Sequence, residues 1–180
     1  MNKHIFEWYN KEIKTKILEE IPEINLLTIS IGPYKKGDEP KLPFWLAKVL
    51  VMEKLAEYSE DINYDIEELL KIQRICTEKS TLADLDKDFY IKISETIKNL
   101  RDEISNNTDF SKKSQILQKI DKLHTIFKEI YHRRQYKILK LASMENFNTS
   151  RLRNMTEEEL ILFYKLQEII NKWENEFIKI

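Results

Sequence analysis

PEINLLTISIGPYKKGDEPKLP, residues 22–43, holds every glycine and every proline of a 180-residue chain. Gly32 and Gly37 permit positive φ, whereas Pro22, Pro33, Pro40 and Pro43 fix φ and remove a backbone donor. A chain that confines both residue types to one window has one region of tight turns. Residues 44–180 contain neither type, and their apolar residues recur at helical spacing. The pattern predicts a mainly α protein: a small N-terminal mixed α/β head, then an α-helical bundle.

Upstream of the window, Ile13, Thr15 and Ile17 alternate with Lys14 and Lys16, the period of a half-buried strand. A second apolar run, 26–31, ends at Gly32-Pro33, and 34–42 reads as turns leading to Pro43 in the first turn of a helix. Residues 1–10 fit either a short helix or a packed flap. Downstream, 44–58 reads as one amphipathic helix with Trp45, Val49, Met52 and Ala56 on a stripe. In that reading Trp45 is a buried anchor. A second helix is expected over 65–76, and the polar stretch 77–85 reads as the inter-domain linker. The expected organisation is a head at 1–60, a connecting helix and linker at 61–85, and a helical domain at 86–180.

Within that domain, Phe89, Ile93, Ile97 and Leu100 mark one helix, and the turn-forming residues 106–109 end it. The longest helix, 111–142, carries Ile116, Ile120, Leu123, Phe127, Ile130, Arg134, Ile138 and Leu141 in steps of three and four. Arg134 interrupts the apolar seam, so its guanidinium needs a carboxylate or carbonyl within the fold or across an interface. Thr156 and Glu159 form a capping-box pattern before the last helix. That helix carries Phe163, Leu166, Ile170, Trp173, Phe177 and Ile180. The stripe either closes the protein's own bundle or buries against a partner, for which Arg133 and Arg134 are the polar candidates.

Composition narrows the chemistry. Thirty basic and thirty-one acidic residues nearly cancel, giving a net charge of −1 and no field that gathers nucleic acid. One region departs from the balance, because helix 111–142 carries nine cations against Asp121 and Glu129. Its basic face supports an alternative reading as a helical nucleic-acid-binding or adaptor module. Two glycines five positions apart can write neither a dinucleotide fingerprint nor a P-loop. His4, His124 and His132 lack metal-site spacing, and the single cysteine, Cys76, reads as a small core residue. No catalytic, cofactor or metal site is expected. No apolar run is long enough for a membrane span, and MNKHIFEWYNKEIK is broken by charge before a signal sequence forms, so a cytoplasmic protein is expected.

The stretch 31–50, IGPYKKGDEPKLPFWLAKVL, resembles the GINS family of replication-factor subunits. The family's small domain shows a G-P-[FY] turn and then L-P-x-W-L-A entering a helix. The matching positions are Gly32, Pro33 and Tyr34, then Leu42, Pro43, Trp45, Leu46 and Ala47. Asp88-Phe89-Tyr90 resembles the family's D-F-Y, 131–138 (YHRRQYKI) its Y-x-R-R-x-x-K-I, and 154–159 (NMTEEE) its N-[LM]-T-x-x-E. The small domain comes first, which resembles the archaeal subunit type related to the eukaryotic Psf subunits. The resemblance implies a non-catalytic, cofactor-free subunit of a 2:2 heterotetramer with a second GINS subunit type. It further implies support of the MCM helicase beside a RecJ-like or Cdc45-like protein, at replication forks on the nucleoid. Direct DNA binding is expected to be weak or absent.

Overall fold

The computed structural model describes residues 3–25, 30–59, 62–144 and 148–178. Two compact units divide the chain, Met1–Ile62 and Asn63–Ile180. The protein is mainly α-helical, with a small mixed head before a helical bundle.

In the head, the alternation at 13–17 becomes β1 (Glu12–Ile17), whose Ile13, Thr15 and Ile17 point inward. It forms the centre of an antiparallel three-stranded sheet, between β4 (Lys41–Pro43) and β5 (Ala56–Tyr58), with Ile13 opposite Leu42 and Ile17 opposite Ala56. A separate ribbon pairs β2 (Ile24–Asn25) with β3 (Ser30–Ile31). Most of the predicted run 26–31 lies outside the described residues. Gly32 has φ +82°, and a Cβ there would stand 2.9 Å from the carbonyl oxygen of Pro22, so this turn requires glycine. Gly37 also has positive φ, and the Asp38 carboxylate accepts from the Lys35 amide at 2.8 Å. Of the two readings for the N-terminal residues, the described ones take the helix, α1 (Lys3–Tyr9). Its Trp8 is buried with its ring centroid 5.3 Å from that of Phe44.

The expected helix 44–58 is shorter. Helix α2 (Phe44–Met52) is followed by Lys54 at φ 60°, and the chain returns as β5. Pairing with the free edge of β1 outweighs helix propensity there, and it carries Ala56 into the core. Pro43 lies one position earlier than expected, at the N-cap, with φ −53°. The buried face of α2 also differs: Phe44, Leu46, Ala47 and Leu50 are inside, whereas Val49 and Met52 are exposed and Trp45 is only half-buried. Apolar residues on nearly every side of this helix leave its periodicity without a clear phase.

The second unit contains α3 (Ile66–Glu78), α4 (Phe89–Asn106), α5 (Phe110–Ala142), a 3₁₀ helix (Thr149–Asn154) and α6 (Glu157–Phe177). Asp65 caps α3 through the Glu68 amide at 2.7 Å, and Asp109 caps α5 through the Ser111 amide at 2.9 Å. Leu69 and Cys76 of α3 share one core with Phe89, Ile93, Leu123 and Ile130. Helix α3 therefore belongs to the helical unit. The division between units falls at Ile62/Asn63 and not in 77–85. Leu82 and Ala83 of that stretch are buried, so it is a packed strap.

Candidate functional site

Arg134 lies on the apolar seam of α5 and is 1% exposed, so its charge needs partners inside the fold. It finds four hydrogen bonds. Nε donates to Glu159 Oε1 at 2.6 Å and Nη2 to Glu159 Oε2 at 2.7 Å, the two-pronged pairing that a planar guanidinium favours. Nη1 donates to the Ala83 carbonyl at 2.7 Å, and Nη2 also donates to the Asn154 carbonyl at 2.9 Å. Glu159 is equally occupied. Its Oε1 also accepts from the Tyr90 hydroxyl at 2.7 Å, and its Oε2 from the Thr156 amide at 3.1 Å, completing the capping box of α6.

Burial alone would pull the Arg134 pKa down, but the hydrogen bonds and charge of Glu159 outweigh it and hold it above the usual arginine value. Burial, reinforced by Glu159, pushes Tyr90 well above the usual tyrosine value and keeps it a neutral donor. All acceptor positions on Glu159 are taken, so this pair holds elements together and offers no free base.

The strap is fixed from the same side of α5. Lys137 Nζ donates to the carbonyls of Cys76 at 2.7 Å, Lys79 at 2.6 Å and Thr81 at 3.2 Å. The Asn154 side chain donates to the Leu82 carbonyl at 2.9 Å. Three distant segments thus meet at one polar hub: 88–90 through Tyr90, 131–138 through Arg134 and Lys137, and 154–159 through Asn154, Thr156 and Glu159.

Residues 8–178 match the family Sld5, described as the GINS complex protein helical bundle domain. The chain belongs to the GINS family. No curated protein matches it. GINS subunits are non-catalytic structural components of a DNA replication complex and assemble with other GINS subunits. Among the described residues, no helix is long and apolar enough to cross a membrane, and no group of three His, Cys, Asp or Glu residues is placed to hold a metal ion.

The quoted GINS motif residues of the head lie at a turn and in or beside the core of their unit. Gly32 makes the positive-φ turn, and a cis peptide joins it to Pro33. Tyr34 pairs with Ile21 through two backbone bonds of 2.9 Å. Leu42, Leu46 and Ala47 are buried in one cluster, with Trp45 packed at its edge and Pro43 opening α2.

The expected interface residues separate into two groups. Arg134 and Phe163 are inside their own unit, the first satisfied by Glu159 and the second fully buried beside Ile138 and Leu141, so neither is available to a partner. Arg133, Trp173 and Phe177 are at the surface, and Ile180 lies outside the described residues. Burial falls steadily along one stripe of α6. Phe163 is 0% exposed, Leu166 and Ile170 are half-buried, Trp173 is 54% exposed and Phe177 69%. Ile169 and Ile178 extend the exposed apolar surface. The sequence marks Glu159 only as a helix cap and gives Tyr90 and Lys137 no role in this hub, although each falls inside a quoted GINS motif.

Proposed function

We propose that this chain is a structural subunit of a GINS assembly and docks a second GINS subunit type through the end of α6, in a 2:2 heterotetramer. The observation that carries this reading is the exposure gradient along that helix. An amphipathic stripe that continues past its own bundle leaves Trp173 and Phe177 in water, where aromatic side chains are costly unless covered. Aromatic anchors are the residue types that dominate protein interfaces. Arg133 is exposed on α5 and is the polar candidate for fixing register against a partner carboxylate. The small-domain-first order supports assignment to the archaeal subunit type related to the Psf subunits. In this reading the assembly supports the MCM helicase beside a RecJ-like or Cdc45-like protein at forks on the nucleoid, with direct DNA contact a minor part.

The test is mass measurement of the chain co-expressed with a second GINS subunit of the reverse domain order. Wild type is expected as a 2:2 complex. Trp173→Asp with Phe177→Asp should abolish that complex while leaving the melting temperature of the chain alone unchanged, because both positions are exposed. A tetramer that survives the double substitution refutes the α6 interface. DNA binding by the isolated chain that is tight and falls steeply with salt favours the basic face of 111–142 instead.

A further inference from the structure

Two depressions on the helical unit adjoin at Tyr90. The first is a pocket of about 220 Å³ between α5 and α6, walled by Tyr90, Tyr131, Ile138 and Leu162. Its exposed lining is almost entirely carbon, since the Glu159 carboxylate at its base is turned to Arg134 and Tyr90. That carbon lining selects an uncharged group, and Glu158 stands at its edge. The second is an open groove of about 520 Å³ between α4 and α5, floored by Ile93, Ile97 and Phe127. Lys98, Arg101 and His124 rim it, and no carboxylate lines it. Among the described residues, neither Lys98 nor Arg101 has an ion-pair partner, in a chain with thirty-one acidic side chains. A ridge of rings separates the depressions: Phe127 lies 6.0 Å from Tyr90 and 6.3 Å from Tyr131, centroid to centroid.

We propose that this paired site docks a short segment of another protein in which one apolar side chain adjoins a run of carboxylates. The apolar residue fills the pocket beside Leu162, and the carboxylates lie along the groove against Lys98 and Arg101. Charge complementarity selects the occupant. A nucleic-acid strand fits less well, because its phosphates would follow both depressions, and the first offers carbon and Glu158. The site is distinct from the exposed end of α6 and does not depend on that interface.

The experiment selects a displayed library of random dodecamers against the intact chain, then measures the enriched peptides by fluorescence anisotropy. Enrichment of sequences with one apolar residue beside several Asp or Glu is expected. Lys98→Glu with Arg101→Glu should weaken the enriched peptide about tenfold or more, and Gln135→Trp, which fills the mouth of the pocket, should weaken it separately. All three positions lie at the surface or half-buried, and unchanged melting curves confirm that the variants fold. Failure to enrich acidic peptides, or binding indifferent to the charge reversal, overturns the proposal. So does a single-stranded oligonucleotide that binds the same groove and is lost with the same double variant.

Discussion

Arg134 and Glu159 show how a buried charge is tolerated when every donor and acceptor is answered. Removing one member leaves the other charged, dry and unpaired, which costs far more than the pair itself contributes. Arg134→Met is therefore expected to destabilise the helical unit by about 3–5 kcal/mol, read from urea unfolding. Arg134→Met with Glu159→Leu should recover part of the loss but not all, because the Ala83 and Asn154 carbonyls and the Tyr90 hydroxyl stay without their partners. A single variant as stable as wild type would show that the hub does not hold the unit together. Arg134 was legible in the sequence as the one polar break in an apolar seam. Its partner was not, because Glu159 already had a sufficient local reason to exist as a helix cap. Phe163 misled in the opposite direction: the stripe that it shares with Trp173 and Phe177 looks uniform in sequence, and only the fold shows where the protein's own core ends.

Elements were legible where periodicity had one clear phase. β1, α4, α5 and the first turns of α6 follow the predicted inward residues, since each alternates or repeats against a single buried side. α2 and β5 resemble one helix in sequence because their separation depends on a free strand edge far away in the chain, which no local pattern records. The strap after α3 is the other case. Its polar composition reads as a linker, yet its carbonyls are held by Lys137 and its Leu82 and Ala83 are buried. What looks like a solvated lysine on a basic helix face closes the end of α3 and pins the strap. Lys137→Met keeps the stem and removes the donors, so it should cost about 1 kcal/mol and speed amide exchange at Leu82 and Ala83 selectively. Exchange that stays slow there, with the global stability unchanged, would mean that apolar burial alone holds the strap.

Across the whole molecule, two units with separate cores need not respond alike to solution conditions, and alkaline pH separates them. Tyr64 and Tyr90 both belong to the helical unit, and both are pushed well above the ordinary tyrosine value of 10.0. Burial is the main cause for each, reinforced by the charge of Asp86 for Tyr64 and of Glu159 for Tyr90. Their folded pKa values exceed the unfolded ones, so the folded unit keeps protons that the unfolded chain releases. The resulting stabilisation is fully present below pH 10 and is lost as pH rises through the window between the unfolded and folded values. Each tyrosine should contribute a fall of about 1.4 kcal/mol per pH unit within that window. Guanidinium unfolding of the helical unit between pH 9 and 11.5 should show this decline, and Tyr90→Phe should make it shallower. The absolute stability of Tyr90→Phe will also fall, because the bond to Glu159 is lost, so the slope is the diagnostic quantity. If the slopes of parent and variant coincide, Tyr90 ionises as freely in the folded unit as in the unfolded chain, and the hub is wetter than its burial implies.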